Sequence, residues 1–116
     1  MTEQKFQSLV NEIRSKSLET LTTKNAGYAP DEDKLHNFAA GAQITGGTAA
    51  QAAWGYLAKH LAALRDKIEK NDFSDRIDLR EKCVDAINYI CLIWCIGNEE
   101  DDKRRQDPAF LAEDGE

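Results

Sequence analysis

The sequence predicts an all-α protein, a bundle of four helices. Apolar residues recur at intervals of three and four over most of the chain, which is the period of an amphipathic helix, whereas alternating apolar and polar runs of useful length are absent. Only two prolines and seven glycines interrupt the 116 residues, and alanine and leucine are plentiful. A chain of this length has room for one core, so the helices are expected to pack as one bundle.

The first two helices are predicted on either side of a loop rich in turn residues. The first covers residues 2–22, where apolar side chains stand at helical spacings. A loop follows in "TTKNAGYAPDEDKLHNF", because Gly27 and Pro30 both interrupt a continuous helix. A short second helix covers residues 35–44 and ends at the two glycines of "TGGT".

The third helix is predicted to begin after Thr48, whose hydroxyl can satisfy a free amide of the first turn. It runs to about Lys70. Its apolar residues share one face, which we expect to be buried: Ala53, Leu57, Leu61, Leu64 and Ile68.

The last helix begins after Ser74 or Asp75 and is expected to end at Gly97, in the left-handed conformation that closes many helices. Residues 1–98 then form the helical domain. Residues 99–116 are highly charged and contain little apolar material, which is typical of a flexible tail.

Composition restricts the class of function. A net charge of −6 and a pI near 4.9 argue against a nucleic-acid partner, which needs a basic surface. The chain opens without the apolar core of a signal peptide, and its longest apolar run, residues 90–96, is too short to cross a bilayer. We therefore expect a cytoplasmic protein without a membrane partner. Its three cysteines lack CxxC spacing and are interpreted as buried, reduced thiols.

A row of polar residues on the last helix is the first candidate site. These residues fall within roughly 80° of one another on a helical wheel, opposite an expected core face of Cys83, Ile87, Ile90 and Trp94. One interpretation is a solvated face; the other is a metal site, since carboxylates one turn apart suit Mg²⁺. Packed against a neighbour, they would repel one another unless a cation or basic group lay among them. The row consists of Asp78, Glu81, Asp85 and Asn88.

A second candidate site lies in and after the first loop. Lys24, Tyr28, Asn37 and Phe38 form a mixture suited to phosphate, ribose and base contacts, although the aromatic rings could equally fill the core. The third helix adds Lys59, which could counter phosphate charge, and Asp66, a further oxygen donor. His60 is interpreted as a packed or surface histidine rather than as a base.

These residues resemble a known family in the order "K-N-x-G-Y … N-F … G … K-H-x-x-x-L-R-D-K … D-x-x-E-K-x-x-D-x-x-N-Y". The chain is similar over residues 20–98 to small phage and bacterial nucleotide-modification-associated all-α proteins. These are related to the MazG-like nucleoside triphosphate pyrophosphohydrolases. The most specific part is "LREKCVDAINY", which looks like the last metal-bearing helix of that superfamily.

The resemblance implies a four-helix fold that assembles as a homodimer or homotetramer, in the host cytoplasm if a phage encodes it. It implies Mg²⁺, with Mn²⁺ as the alternative, and cleavage of a nucleotide that releases pyrophosphate. Glu81 and Asp85 would be the catalytic metal ligands, with further oxygens from Asp78 or Asp66. The nucleotide would contact Lys24, Tyr28, Asn37, Lys59 and Asn88. The chain departs from the family where the preceding metal helix normally carries E-E-x-x-E, since only Asp66 and Glu69 are near that place.

Two functions of different class therefore stay open. One is a magnesium-dependent nucleotide pyrophosphohydrolase, in which a metal polarises the α-phosphate and a carboxylate-held water attacks it. The other is a protein that keeps the pocket without the chemistry and sequesters a nucleotide or a nucleotide-derived signal. The row of carboxylates favours the enzyme, and the incomplete acidic motif favours the binding protein. An acidic mimic of DNA is a weaker third possibility, suggested by the tail alone.

Overall fold

The computed structural model describes residues 1–28 and 35–109, with side chains for residues 1–23 and 35–109. Every regular element in these ranges is a helix, which confirms the all-α prediction. There are four: α1 (Glu3–Tyr28), α2 (His36–Thr45), α3 (Ala49–Glu69) and α4 (Arg76–Arg105).

Two helices are longer than the sequence predicts. α1 continues through Gly27 to Tyr28, so the expected loop does not begin at residue 23. A single glycine costs a helix only about 1 kcal/mol, whereas the residue before a proline avoids helical geometry, which fits an end just ahead of Pro30. α4 likewise passes through Gly97 and ends at Arg105. The proposed boundary after residue 98 therefore lies inside a helix; whether the segment after it is a separate tail stays a prediction.

The other helix ends follow the predicted capping chemistry. Gly46 closes α2 with a left-handed φ of 77°, and its amide donates to the Ala42 carbonyl. Thr48 and Gln51 form a reciprocal capping box at the start of α3. Asp75, one of the two candidates, caps α4 by accepting from the amide of Asp78 at 3.0 Å.

α4 is the central helix, with α3 and α1 on its two flanks. α3 runs antiparallel to it, because Lys67 meets Asp78 near one end and His60 lies opposite Asp85 two turns further along. α1 runs in the same direction as α4, because Glu12 pairs with Arg80 and Ser17, further along α1, bonds Asn88, further along α4. α2 packs on α3, with Gly41 facing Ala52: a Cβ at position 41 would lie 4.0 Å from the Cβ of Ala52, an ordinary van der Waals distance.

The buried side of α4 is the side that carries the polar row, which corrects the expected core face. Ile90 and Trp94 are 55% and 72% exposed, whereas Asn88 and Ile96 are buried. The reason is that α1 and α3 both pack on the polar side. The thiols follow the same pattern: Cys83 and Cys91 are half-buried and Cys95 is exposed, so the prediction of three buried thiols is wrong for Cys95.

The core is thin, because three helices pack side by side without a second layer over much of their length. The buried apolar residues among those described are Ala53, Leu57, Val84, Ala86 and Ile96. The predicted stripe of α3 is only partly covered: Leu61 is 38% exposed and Ile68 58%. Within the described ranges, no helix combines the length and apolarity needed to cross a membrane.

Candidate functional site

All four helices contribute to one cavity of about 480 Å³ on the polar side of α4. α1 and α3 form its walls, α4 its floor, and the first turn of α2 closes one side. The lining residues include four members of the two predicted sites, Asn37, Phe38, Asp85 and Asn88. The full lining is Thr20, Leu21, Asn37, Phe38, Tyr56, His60, Asp85, Asn88, Tyr89 and Leu92.

Four rings in this lining form an aromatic cluster centred on Tyr89. Tyr56 stacks on Tyr89 with ring centroids 5.7 Å apart and an angle of 18°, and His60 stacks at 5.1 Å and 20°. Phe38 meets both tyrosines edge-on at 6.4 Å. Such offset and edge-to-face arrangements are the favoured geometries of aromatic pairs. Tyr56 remains 55% exposed, so part of its surface can accept a further planar ring.

His60 and Asp85 are polar side chains that lie close together in the cavity lining. Nδ1 of His60 lies 3.6 Å from Oδ2 of Asp85, and both side chains are about one-third exposed or less. This is too long for a direct hydrogen bond but close enough for a protonated imidazole to attract the carboxylate. Helix geometry explains the arrangement: Asp85 and Tyr89 are one turn apart on α4, and Tyr56 and His60 are one turn apart on α3.

Asn88 connects the cavity to α1. The Ser17 hydroxyl donates to Oδ1 of Asn88 at 2.6 Å, and both side chains are buried. The oxygen of the amide is thus satisfied within the protein, while its nitrogen has no hydrogen-bond partner recorded among the described residues. The cavity therefore offers amide donors from Asn88 beside the carboxylate of Asp85.

Asp78 lies outside the cavity and is neutralised by lysines. It forms an ion pair with Lys67 and lies 3.6 Å from the Lys82 ammonium. The Lys67 hydrogen bond lowers the pKa of the Asp78 carboxyl, and the same bond raises the pKa of Lys67. Asp72 adds a carboxylate 3.7 Å from Lys67. The repulsion that the row of carboxylates would create is therefore relieved here by basic side chains of α3 and α4.

The remaining predicted site residues are not gathered at the cavity. Glu81, Asp66 and Lys59 are exposed and do not line it. Lys24 and Tyr28 belong to the last turns of α1, and their side chains lie outside the described part of the structure. Among the side chains that are described, no group of three or more His, Cys, Asp or Glu residues is placed to hold a metal ion.

The sequence reasoning missed the central role of Tyr56 and Tyr89. A usable signal was present: each tyrosine stands four residues from His60 or Asp85, so each pair shares one helix face. What the sequence lacked was the antiparallel register of α3 and α4, which brings the two faces together.

Comparisons with protein-family models, with curated proteins and with solved structures found no match for this chain.

Proposed function

We propose that the cavity binds a nucleotide, with the base against the aromatic cluster. The observation that carries this proposal is the combination of stacked rings and hydrogen-bonding groups in one cavity of about 480 Å³, which is within the usual size of a small-molecule site. Stacking of a base on an aromatic side chain contributes about 1–3 kcal/mol, and every base has a face that can stack. Asn37, Asn88 and Asp85 supply donors and an acceptor for its edge or sugar.

The geometry supports a binding protein best, one that sequesters a nucleotide or nucleotide-derived signal. Asp85 is the carboxylate in the described lining of the cavity, and Nδ1 of His60 lies 3.6 Å from it. A base recognised by a carboxylate and amide groups needs no metal. Lys24 and Tyr28 are retained in the proposal as phosphate and ribose contacts, and Lys59 as a source of positive charge near the cavity.

A magnesium-dependent nucleotide pyrophosphohydrolase of the MazG-like type is the second candidate. The observation that favours it is that Asp85 faces the cavity with Glu81 one turn earlier on α4. Mg²⁺ is commonly held by one or two carboxylates together with substrate phosphates and water, and these two residues would hold it here. When bound, the ion would polarise the α-phosphate. The contribution of this chain is to orient the base through the aromatic cluster and to position the phosphates.

The same proposal includes assembly into a homo-oligomer. Its support is the apolar surface that the chain leaves uncovered, including Ile90 and Trp94 on the central helix. Monomeric proteins rarely expose a large contiguous apolar patch.

A screen that reads binding and turnover in the same wells tests the proposal. Nucleoside triphosphates, monophosphates and cyclic nucleotides are each added with Mg²⁺, with Mn²⁺ or with EDTA, and the melting temperature and released pyrophosphate are measured. We expect a thermal shift with at least one nucleotide, retained in EDTA, without pyrophosphate release. Release that requires the metal would instead establish the enzyme.

Two variants test whether the nucleotide binds at the aromatic cluster of the cavity. Tyr56→Ala removes a partly exposed ring of the cluster and is expected to abolish the nucleotide-induced shift. Phe73→Ala removes a ring that is 45% exposed and outside the cavity lining, and is expected to retain the shift. A panel in which no nucleotide shifts the wild-type protein, or in which Tyr56→Ala binds like wild type, contradicts the proposal.

A further inference from the structure

α4 carries an apolar seam on the side away from the cavity. Its residues recur at intervals of four, three and four, the spacing by which one helix packs along another. On a helical wheel they lie roughly opposite Asp85 and Leu92, which line the cavity. The two largest, Ile90 and Trp94, are mostly exposed. We name Cys83, Ile87, Ile90 and Trp94 the back seam.

α3 widens this surface with a stripe of its own. Trp54, Leu61 and Ile68 recur every seven residues and are 59%, 38% and 58% exposed. On a helical wheel the stripe lies roughly opposite Tyr56, which lines the cavity. The stripe and the back seam therefore face the same side of the α3–α4 pair, and the apolar surface is two helices wide.

The whole chain exposes more surface than a compact monomer of its mass, and the exposed apolar residues of α3 and α4 contribute to that excess. The chain exposes 8825 Å², against roughly 6,300 Å² for a compact monomer of the same mass. The difference is larger than the roughly 800 Å² that each partner buries in a standard protein interface. The radius of gyration of 17.9 Å also exceeds the roughly 13 Å of a compact domain of 100 residues.

We propose that the back seam is a homodimer interface in which α4 packs antiparallel against α4 of a second copy. A two-fold axis between Ile87 and Ile90 sets Cys83 opposite Trp94 of the other copy, and Ile87 opposite Ile90. The seam is therefore complementary to itself, as a two-fold interface requires.

Charge at the ends of the seam selects the antiparallel direction. The same axis places Arg76 level with Asp101 of the second copy, because both lie equally far from the centre of the seam. Arg76 is exposed and forms no ion pair with the described residues, whereas Asp101 already pairs with Arg104 at 2.9 Å and with Arg105 at 2.7 Å in its own helix. A parallel arrangement would instead set the exposed Arg76 against Arg76 of the second copy. Like charges placed opposite each other disfavour the parallel dimer.

This inference rests on the proposed assembly and is independent of the nucleotide site. The assembly and the particular surface that forms it can be tested separately. An oligomer that forms through another surface would agree with the proposed assembly but contradict the back seam as its interface. A monomer would refute both and leave the cavity unaffected.

The test is the molar mass of the full chain in solution by light scattering over a series of concentrations. We expect wild type to have twice the 13.0 kDa chain mass at micromolar concentration. Ile90→Glu buries a charge at the centre of the interface and should raise the dissociation constant by about 100-fold or more. Ile44→Glu is the matched control: Ile44 is 86% exposed on α2, so this variant should remain dimeric.

Charge reversal tests the antiparallel register and does not depend on the folding of Ile90→Glu. Arg76→Asp and Asp101→Arg should each weaken the dimer, and the double variant should dimerise more tightly than either, with helical circular dichroism unchanged throughout. The single variant Asp101→Arg accounts for the loss of the Asp101 pairs with Arg104 and Arg105. A wild-type monomer of 13.0 kDa overturns the proposal. So does a folded Ile90→Glu that dimerises like wild type, or a charge reversal without rescue.

Discussion

The contact between Ser17 and Asn88 shows how single residues position the cavity. Both side chains are buried, and the hydroxyl–amide bond of 2.6 Å is the described polar link between α1 and the floor of the cavity. A buried amide oxygen that loses its donor costs about 1–3 kcal/mol. The same bond fixes the direction of the remaining amide hydrogens.

Ser17→Ala is therefore expected to lower the free energy of unfolding by about 1–3 kcal/mol in urea titration. The control is Thr22→Ala: Thr22 is exposed and donates only to the Leu18 and Glu19 carbonyls of its own helix, so its loss should stay within about 0.5 kcal/mol. Equal, small effects of the two substitutions would contradict the structural role given to Ser17.

The Asp78–Lys67 pair predicts a specific response to acid. Because the Lys67 hydrogen bond lowers the pKa of Asp78 in the folded protein, the pair stabilises the fold above the pKa of an unfolded aspartate. That stability is lost as the pH falls through the lowered pKa. Wild type should therefore lose more stability between pH 7 and pH 3 than Asp78→Asn does, measured by urea midpoints at each pH. Equal losses in wild type and in Asp78→Asn would contradict the stabilising role given to the pair.

At the scale of elements, the sequence predicted what local chemistry decides. Helix existence, the cap at Thr48, the end of α2 at Gly46 and Asp75 as one of two candidate caps were predicted, because each depends on neighbouring residues alone. The covered face of α4 was predicted wrongly, because this helix has apolar residues on both sides. Which side is covered depends on where α1 and α3 pack. The aromatic cluster was missed for the same reason.

Gly97 tests the length of α4, which continues past this residue although the sequence predicts that the helix ends there. At a left-handed helix end, alanine would be strained by about 1–2 kcal/mol. In the structure Gly97 lies inside α4, and a Cβ there would meet nothing within 4 Å. Gly97→Ala should therefore stabilise the protein by about 0.5–1 kcal/mol in urea titration. Gly46→Ala, at a φ of 77°, is the opposite control and should destabilise it. Destabilisation by Gly97→Ala would restore the original prediction of a helix end at that residue.

At the scale of the whole molecule, the cavity and the back seam lie on opposite sides of the α3–α4 pair. The cavity side is covered by α1 and α2, while the other side depends on a second copy in the proposed dimer. A thin core of five buried apolar residues among those described leaves the single chain with little stability of its own. Folding and association are then expected to be coupled.

Coupling of folding to association predicts that the melting temperature rises with protein concentration. For a dimer that unfolds to monomers, each tenfold increase in concentration adds about 1.4 kcal/mol in favour of the folded form. A dimer with twice the 116 residues of this chain should respond by roughly 3–5 °C for that amount. Scanning calorimetry over two decades of concentration measures the slope for wild type and for Ile44→Glu, which should agree. Ile90→Glu should melt lower and with no dependence on concentration. A wild-type melting temperature that stays constant over both decades would mean that one chain carries its full stability, and that the apolar back seam serves something other than self-association.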